Sequence, residues 1–449
     1  MTAPPITPLD RWIRRKIDPS GNGPLQRNDL ARYQLAALNR TLAHVRQNSP
    51  FYRRRLANLS LPLGSLDELA VLPFTATADL RRNPLALLCV SQDRIARAVT
   101  LETSGTTGHP KRLFFTDADL ELTVDFFHHG MATLVTPGQR VLILMPGELP
   151  GSVGDLLVKA LARMDVRGIV HGPVGDPEAA LQAALDEDID SLVGIPVQVL
   201  AMARHAKGAS LTGRLRSVLL TTDYVPHAIC TAVQQSWGCR VFKHYGMTEM
   251  GLGGAVECAA RSGYHFREAD LLVEIVDPRT RRPVPDGRPG EIVFTTLTRE
   301  GMPLIRYCTG DRAAFKLAPC PCGTGLRTLE TVQGRWQDRL LLGTGPALAI
   351  GDLDEAIFRI DGVLNYDIEI HPAGETDQMV LGIAARETEA FSSLEKRLRQ
   401  AVFSLPAVQA ARHTGMLTIV IRPAGERMTV STGTIKRRIH DLRERSTFP

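Results

Sequence analysis

Between about residues 140 and 250 the apolar positions fall in short runs: VLILM (141–145), GIV (168–170), SLVGI (191–195), SVLLTT (217–222) and RVFKHYG (240–246). The segments between them are of helix length and rich in Ala and Leu. That alternation predicts buried strands joined by helices, and so a parallel sheet covered on its faces. Active sites in such sheets gather at the carboxyl ends of strands, which singles out the segments around Thr222 and Tyr245. Upstream, LARYQLAALNRTLAHVRQNSPFYRRRL has helical apolar spacing and stops near Ser49-Pro50, as expected of an amphipathic helix packed on the main body. Downstream, LLVEIVD, the turn-rich RRPVPDGRPG and EIVFTTL (271–297) predict an antiparallel hairpin. After GRWQDRL (334–340) comes a Gly-rich stretch, LLGTGPALAIGD, and a domain boundary is placed near Asp338. The remainder predicts a small α+β domain with helices at 352–360 and 388–402 and strands near 364–370, 378–384 and 416–422. IKRRIHDLRER, with Ile435 and Ile439 four apart, predicts a further helix. The expected organisation is residues 1–338 as a large α/β domain and 339–449 as a small one.

The chain has 449 residues, too many for one ordinary domain, with 44% hydrophobic and 22% charged residues, the balance of a globular enzyme. No run approaches the roughly 20 apolar residues of a membrane span, and MTAPPITPLDRWIRRKIDP lacks a signal-peptide core. A cytoplasmic location is expected, with no membrane partner. The net charge of +5 comes from scattered residues, so nucleic acid is not an expected partner. Seven cysteines are an odd set in a long chain without a leader, and a disulfide framework is not expected.

Three segments carry candidate chemistry. TSGTTGHPK (103–111) concentrates glycines and small hydroxyls in one loop that ends in a lysine. Glycines let a backbone approach a ligand closely, successive N–H groups and hydroxyls can surround phosphate oxygens, and Lys111 adds positive charge. No Gly-Lys-Ser/Thr ends the loop, so it is not a Walker A motif. HYGMTEMG (244–251) follows a predicted strand. There the Tyr245 ring can stack on adenine, Thr248 can donate to a phosphate oxygen, and Glu249 offers a hard oxygen to Mg²⁺. In YCTGD (307–311) and GRWQD (334–338), Asp311 can accept from ribose hydroxyls, and Arg335 can hold the ribose or α-phosphate through several donors.

In this order the motifs resemble those of the acyl-adenylate-forming superfamily of acyl-CoA synthetases, adenylation domains and luciferases. NSPFYRRR near 50, LPFTATADLR near 75, EIVFTTLTREGMPLIRYCTGD (291–311) and CPCG (320–323) make the chain similar to the phenylacetate–CoA ligase group within it. The resemblance implies an α/β fold: a large adenylate-forming domain with helix-flanked parallel sheets and a small β-barrel-like part, and a mobile C-terminal α+β domain. It also implies ATP-dependent activation of a carboxylic acid, an aryl or arylacetic acid in the first instance, and transfer to coenzyme A. Thr103, Ser104, Gly105, Thr106, Thr107, Gly108 and Lys111 would form the phosphate loop. Tyr245 would lie at adenine, Thr248 and Glu249 at the phosphates and Mg²⁺, and Asp311 and Arg335 at the ribose. Asp338 would be the hinge about which the small domain turns between the two half-reactions.

The chain departs from the family pattern in three places. Where a Gly-Lys-x-x-Arg lysine belongs, Gly433 is followed by Thr434, and Lys436 stands two places on; either Lys436 substitutes, which an extended segment allows, or, in the helix the spacing favours, Lys436 faces away and adenylation is slow. Asp223 and Tyr224 in SVLLTTDYVP replace small residues. LLLGTGPALAIGD differs from the segment that commonly meets the acceptor. Two alternatives therefore stay open: delivery to an amine, carrier-protein thiol or other nucleophile, and a nucleotide-binding protein with degraded catalysis. A homodimer is one option for assembly. Finally, Cys320-x-Cys322 is spaced for one metal, and Cys258 and His265, seven apart, complete a Cys₃His set of the closed, structural zinc type. Members of the resembled group carry such a site; the alternative is reduced, partly buried cysteines.

Overall fold

The computed structural model describes residues 4–20, 23–101, 110–336, 338–343, 345–374, 376–386, 390–425 and 437–443. The chain forms two compact units, each assembled from separated segments. One comprises Met1–Gly138, Gly147–Gly168 and Phe242–Val332; the other comprises Gln139–Pro146, Ile169–Val241 and Gln333–Pro449.

In the second unit the predicted parallel sheet is present. Strands Arg140–Ile143, Ser191–Gly194 and Ser217–Leu220 pair in parallel. Helices Pro177–Asp186, Pro196–Arg204 and His227–Trp237 each begin at or just after a proline, where a missing N–H costs nothing. The helix from His227 stops at Gly238, whose φ of 70° supplies the left-handed cap. Leu192, Val218, Leu220, Val199, Leu200 and Trp237 form the buried layer between sheet and helices. The C-terminal part is a hairpin, Val363–Ala373 with Thr376–Ala385, flanked in parallel by Leu417–Pro423 and His440–Asp441. Helices Ile350–Ile357 and Phe391–Phe403 lie where the sequence predicts them, and a further helix, Pro406–His413, falls in a stretch for which none was predicted.

The helix expected over IKRRIHDLRER does not form in its described part. Residues 437–443 hold no helix, and the strand His440–Asp441 pairs with Glu369 and Ile370. Tertiary partners override the local spacing: Arg443 bonds Asp377 (2.6 Å) and Asp441 (2.8 Å), and Arg437 is drawn to Asp354.

In the first unit, helix Arg27–Asn48 ends where the sequence indicated, and Ser49 caps the short helix Pro50–Arg55 by accepting from the Tyr52 N–H. Strands Leu271–Val276, Gly290–Thr296 and Tyr307–Ala313 make an antiparallel meander. It is an open three-stranded sheet and not the barrel-like part expected: its outer strands do not pair, so it does not close. Its register against the preceding chain is fixed by Arg306, fully buried, which grips Glu274 with two hydrogen bonds (2.9 and 3.0 Å) and the carbonyls of Ala70 and Leu72, beneath the Phe74 ring. Among the described residues no helix is long and apolar enough to cross a membrane.

Candidate functional site

The end of strand Arg240–Tyr245 and strand Tyr307–Ala313 bring two of the predicted motifs together in the first unit. Residues 307, 309 and 311 share one face of their strand, because strand side chains alternate. Glu249, four residues after Tyr245, lies in the short turn Thr248–Met250. Two phenol–carboxylate hydrogen bonds join the segments in opposite senses. The Tyr245 hydroxyl donates to Asp311 Oδ2 at 2.8 Å, and the Tyr307 hydroxyl donates to Glu249 Oε1 at 2.8 Å. The hydroxyl oxygens of Tyr307 and Thr77 are also 2.8 Å apart. Since Tyr307 has committed its proton to Glu249, Thr77 must be the donor.

Lys111, first residue of strand Lys111–Phe115, forms an ion pair with the same Oε1 of Glu249. Glu249 is 3% exposed. Burial pushes its carboxyl up, but the Lys111 charge and the hydrogen bonds from Lys111 and Tyr307 outweigh this and hold it below the ordinary carboxylate value. The site thus keeps a buried anion and a cation side by side, an arrangement that can exchange the cation for a metal and offer the freed lysine to a polyanion. Asp311 is also buried, and its N–H donates to Thr309 Oγ1 at 3.0 Å. The Tyr245 ring meets Phe266 edge-on at 6.1 Å.

Of the sequence-predicted residues, Lys111, Tyr245, Thr248, Glu249 and Asp311 fall in this unit, while Arg335 and Asp338 belong to the other. Thr103, Ser104, Gly105, Thr106, Thr107 and Gly108 lie outside the described residues, as do Thr434 and Lys436. Tyr307 and Thr77 were not singled out from the sequence. The signal for Tyr307 was available, since it stands four residues before Asp311 in one strand.

The departures at Asp223 and Tyr224 are both engaged within the second unit. Asp223 Oδ2 accepts from the Arg437 N–H at 3.3 Å, and Tyr224 donates to Glu355 Oε1 at 3.2 Å. Glu355 also accepts from the N–H groups of His227 (2.6 Å) and Ala228 (3.0 Å) at the start of a helix, where an anion is favoured. Arg437 sits against Asp354, with the rings of Phe358 and Tyr366 at 4.6 and 5.0 Å. Burial pushes the Asp354 carboxyl up to about 6, with Arg437 opposing.

A second cluster in the first unit gathers Cys258, His265, Cys320 and Cys322, all buried, with their ligand atoms within 4.8 Å of one another. The Sγ atoms of Cys258 and Cys320 are 3.5 Å apart, and Cys322 Sγ is 3.8 Å from His265 Nε2. A tetrahedron with metal–sulfur bonds of about 2.3 Å has edges of about 3.8 Å. His265 Nδ1 lies 3.2 Å from the Arg327 carbonyl; donating there leaves Nε2 as the inward ligand. The three cysteine and one histidine donors suit Zn²⁺, and the cysteines are free of disulfides.

Residues 89–297 match the family model described as AMP-binding enzyme. The chain is 30% identical over 377 residues to the phenylacetate–coenzyme A ligase of Thermus thermophilus, covering 81% of this chain and 83% of that protein. It is 27% identical over 424 residues to the phenylacetate–coenzyme A ligase of Pseudomonas putida, covering 91% and 92%. Among solved structures, 2-hydroxyisobutyryl-CoA ligase with a bound adenylate superposes with a TM-score of 0.79 at 19% identity, over 94% of this chain and 91% of that one. This last likeness is one of fold.

Proposed function

The chain belongs to the AMP-binding enzyme family, in its phenylacetate–CoA ligase group, and from that premise we propose that its acid is an aryl or arylacetic acid, activated at the Lys111–Glu249–Asp311 constellation. The reaction class is ATP-dependent activation of a carboxylic acid, followed by transfer to coenzyme A. In the first step a carboxylate oxygen bonds to the α-phosphorus of ATP, and the bond to the bridging oxygen breaks as pyrophosphate leaves. In the second, the coenzyme A sulfur bonds to the acyl carbon and AMP departs with the electron pair, the thiol proton passing to solvent. Little covalent chemistry falls to the protein in the first step; positioning and charge neutralisation dominate.

The observation that supports these roles is the crossed pair of phenol–carboxylate bonds, which fixes Glu249 and Asp311 on one support. We assign Glu249 to Mg²⁺, which when bound supplies charge neutralisation at the phosphates. Lys111, released from Glu249, is assigned to phosphate oxygens together with Thr248 and the loop Thr103–Gly108. Tyr245 is assigned to adenine, and Asp311 with Arg335 to the ribose. Residues 339–449 are taken as a small domain turning about Asp338. Cys258, His265, Cys320 and Cys322 are assigned to one structural Zn²⁺, whose donor set and spacing fit. The cytoplasm is the proposed location because ATP and coenzyme A are the co-substrates.

Pyrophosphate release measured over a panel of acids, with and without coenzyme A, tests the substrate. Phenylacetate and related aryl acids are expected to be turned over fastest and to give the CoA thioester. Preference for a short aliphatic acid, or product release only with an amine, overturns the assignment. Asp311→Ala is expected to raise the KM for ATP and lower adenylation, since two hydrogen bonds to a charged acceptor are worth about 3 kcal/mol or more; unchanged ATP dependence would remove Asp311 from the ribose. Lys436 is proposed as the cation that replaces the family lysine. Lys436→Ala is then expected to slow adenylation about 10²-fold while sparing transfer from preformed acyl-adenylate. An unaffected adenylation rate would assign the role elsewhere.

A further inference from the structure

The turn that carries Glu249 is held from behind by three buried side chains drawn from distant parts of the chain. Within the turn, the N–H groups of Met250 and Leu252 donate to the Met247 carbonyl (3.0 and 3.1 Å), and that of Gly251 donates to the Thr248 carbonyl (2.9 Å). The next three carbonyls, those of Glu249, Met250 and Gly251, face inward, where backbone oxygens need partners. Each has one. Arg299 donates to the Glu249 oxygen at 2.8 Å, Arg267 to the Met250 oxygen, and the Thr123 hydroxyl to the Gly251 oxygen at 2.8 Å. All three side chains are buried. Both guanidiniums converge on Gly251: a Cβ there would lie 3.0 Å from an Nη2 atom of each arginine, at a φ of 83°. The Arg299 guanidinium lies 5.0 Å from the Phe115 ring and that of Arg267 5.4 Å from the Phe126 ring.

Two buried cations are a costly way to satisfy two carbonyls, for which neutral donors suffice. What charge adds is direction and field. The planar forks fix the peptide groups on both sides of Met250, and the Arg299 charge stands behind a buried carboxylate that has to stay ionised. When Lys111 changes partner in the reaction, the Tyr307 hydroxyl bond remains on that carboxylate, and the turn that carries it must hold the rest of its aim.

We propose that Arg299 and Arg267, with Thr123, are positioning residues for the adenylation step: they lock the 249–251 turn so that the Glu249 carboxylate keeps its aim when it exchanges Lys111 for a divalent cation. The proposal rests on the reading of Glu249 as the Mg²⁺ ligand.

The test is the Mg²⁺ dependence of pyrophosphate release at saturating ATP and acid, alongside transfer from preformed acyl-adenylate to coenzyme A. Outer groups that orient a metal ligand are typically worth about 10- to 100-fold in metal affinity. Arg299→Met is expected to raise the half-saturating Mg²⁺ concentration at least about tenfold, Arg299→Lys to recover part of that, and the transfer rate per folded molecule to stay close to wild type. A purely structural role would lower both half-reactions together and leave the Mg²⁺ midpoint unmoved, and that result overturns the proposal. Should Arg299→Met fail to fold, Thr123→Val, which removes one neutral donor, is expected to raise the Mg²⁺ midpoint by a smaller factor; an unchanged midpoint again overturns it. If the wild-type enzyme releases pyrophosphate without any divalent cation, the reading of Glu249 falls and the proposal with it. A Mg²⁺-dependent wild type with unshifted variants refutes the proposal alone.

Discussion

Glu249→Gln is expected to lower pyrophosphate release by about 10²- to 10³-fold at saturating ATP and acid, the range for loss of one group that stabilises developing charge in a dry site. The substitution is chosen for what it preserves. The amide oxygen can still accept from Tyr307, whose hydroxyl lies 2.8 Å from Glu249 Oε1, and the side-chain volume hardly changes. What disappears is the negative charge, and with it both the pair with Lys111 and the proposed Mg²⁺ ligand. Lys111 then faces incoming phosphates with no internal competitor, so the KM for ATP is expected to stay level or fall while kcat collapses. A rise in KM with an intact kcat would indicate a binding role only, and near-normal release would remove Glu249 from the chemistry. The pH profile gives an independent check. The folded-state value for Glu249 is depressed below the ordinary 4.5. The stability gained from its ionised form is therefore fully present above the ordinary value and is lost only as pH falls through the depressed one. No limb of the wild-type activity profile between about pH 5 and 8 should titrate with Glu249.

The parts of this site that could be read from the sequence are those where one residue type at one spacing has few uses. The strand leading to Tyr245 and the hairpin of Leu271–Val276 with Gly290–Thr296 followed from alternation and turn composition. Cys320 and Cys322 pointed to a metal through spacing, and the fold brings Cys258 and His265 to them from a separate segment. The turn clamp was not legible. Arg299 and Arg267 look like ordinary surface charges in a linear string, and only burial shows that they hold carbonyls. Likewise the spacing of Ile435 and Ile439 favoured a helix that the described segment does not form. Pairing of His440 and Asp441 with Glu369 and Ile370, and the burial of Arg437 against Asp354, involve partners some 70 residues or more away in sequence, which no local window weighs. The division into units is hard to read for the same reason: each unit takes three separated segments, so composition along the chain does not mark them.

Wild-type protein purified without added metal is expected to carry one zinc per chain, and Cys320→Ser with Cys322→Ser is expected to lose it together with much of its thermal stability. The reason lies in what the cluster joins. Cys258 follows strand Ala255–Glu257, and His265 lies in strand Tyr264–Phe266. Cys320 and Cys322 stand on a long excursion that returns to pair Leu329 with Tyr264 through two 2.9 Å hydrogen bonds. Gly263 permits that return, because a Cβ there would lie 2.4 Å from the Leu329 oxygen. Over residues 316–325 the two cysteines are the only buried apolar side chains, and among the described residues only Ala260 is a hydrophobic neighbour of the three cysteines. Metal binding thus serves as local folding energy. Losing about 3 to 5 kcal/mol at about 2 to 4 °C per kcal/mol lowers the unfolding temperature by about 6 to 20 °C. The four protein ligands complete a tetrahedron and leave no open position for chemistry, so pyrophosphate release per folded molecule well below that temperature should stay within about twofold of wild type. Metal analysis showing well below one equivalent, or a double variant that melts with the wild type, would make the cluster a set of buried thiols; a variant of normal stability but abolished turnover would make the metal catalytic.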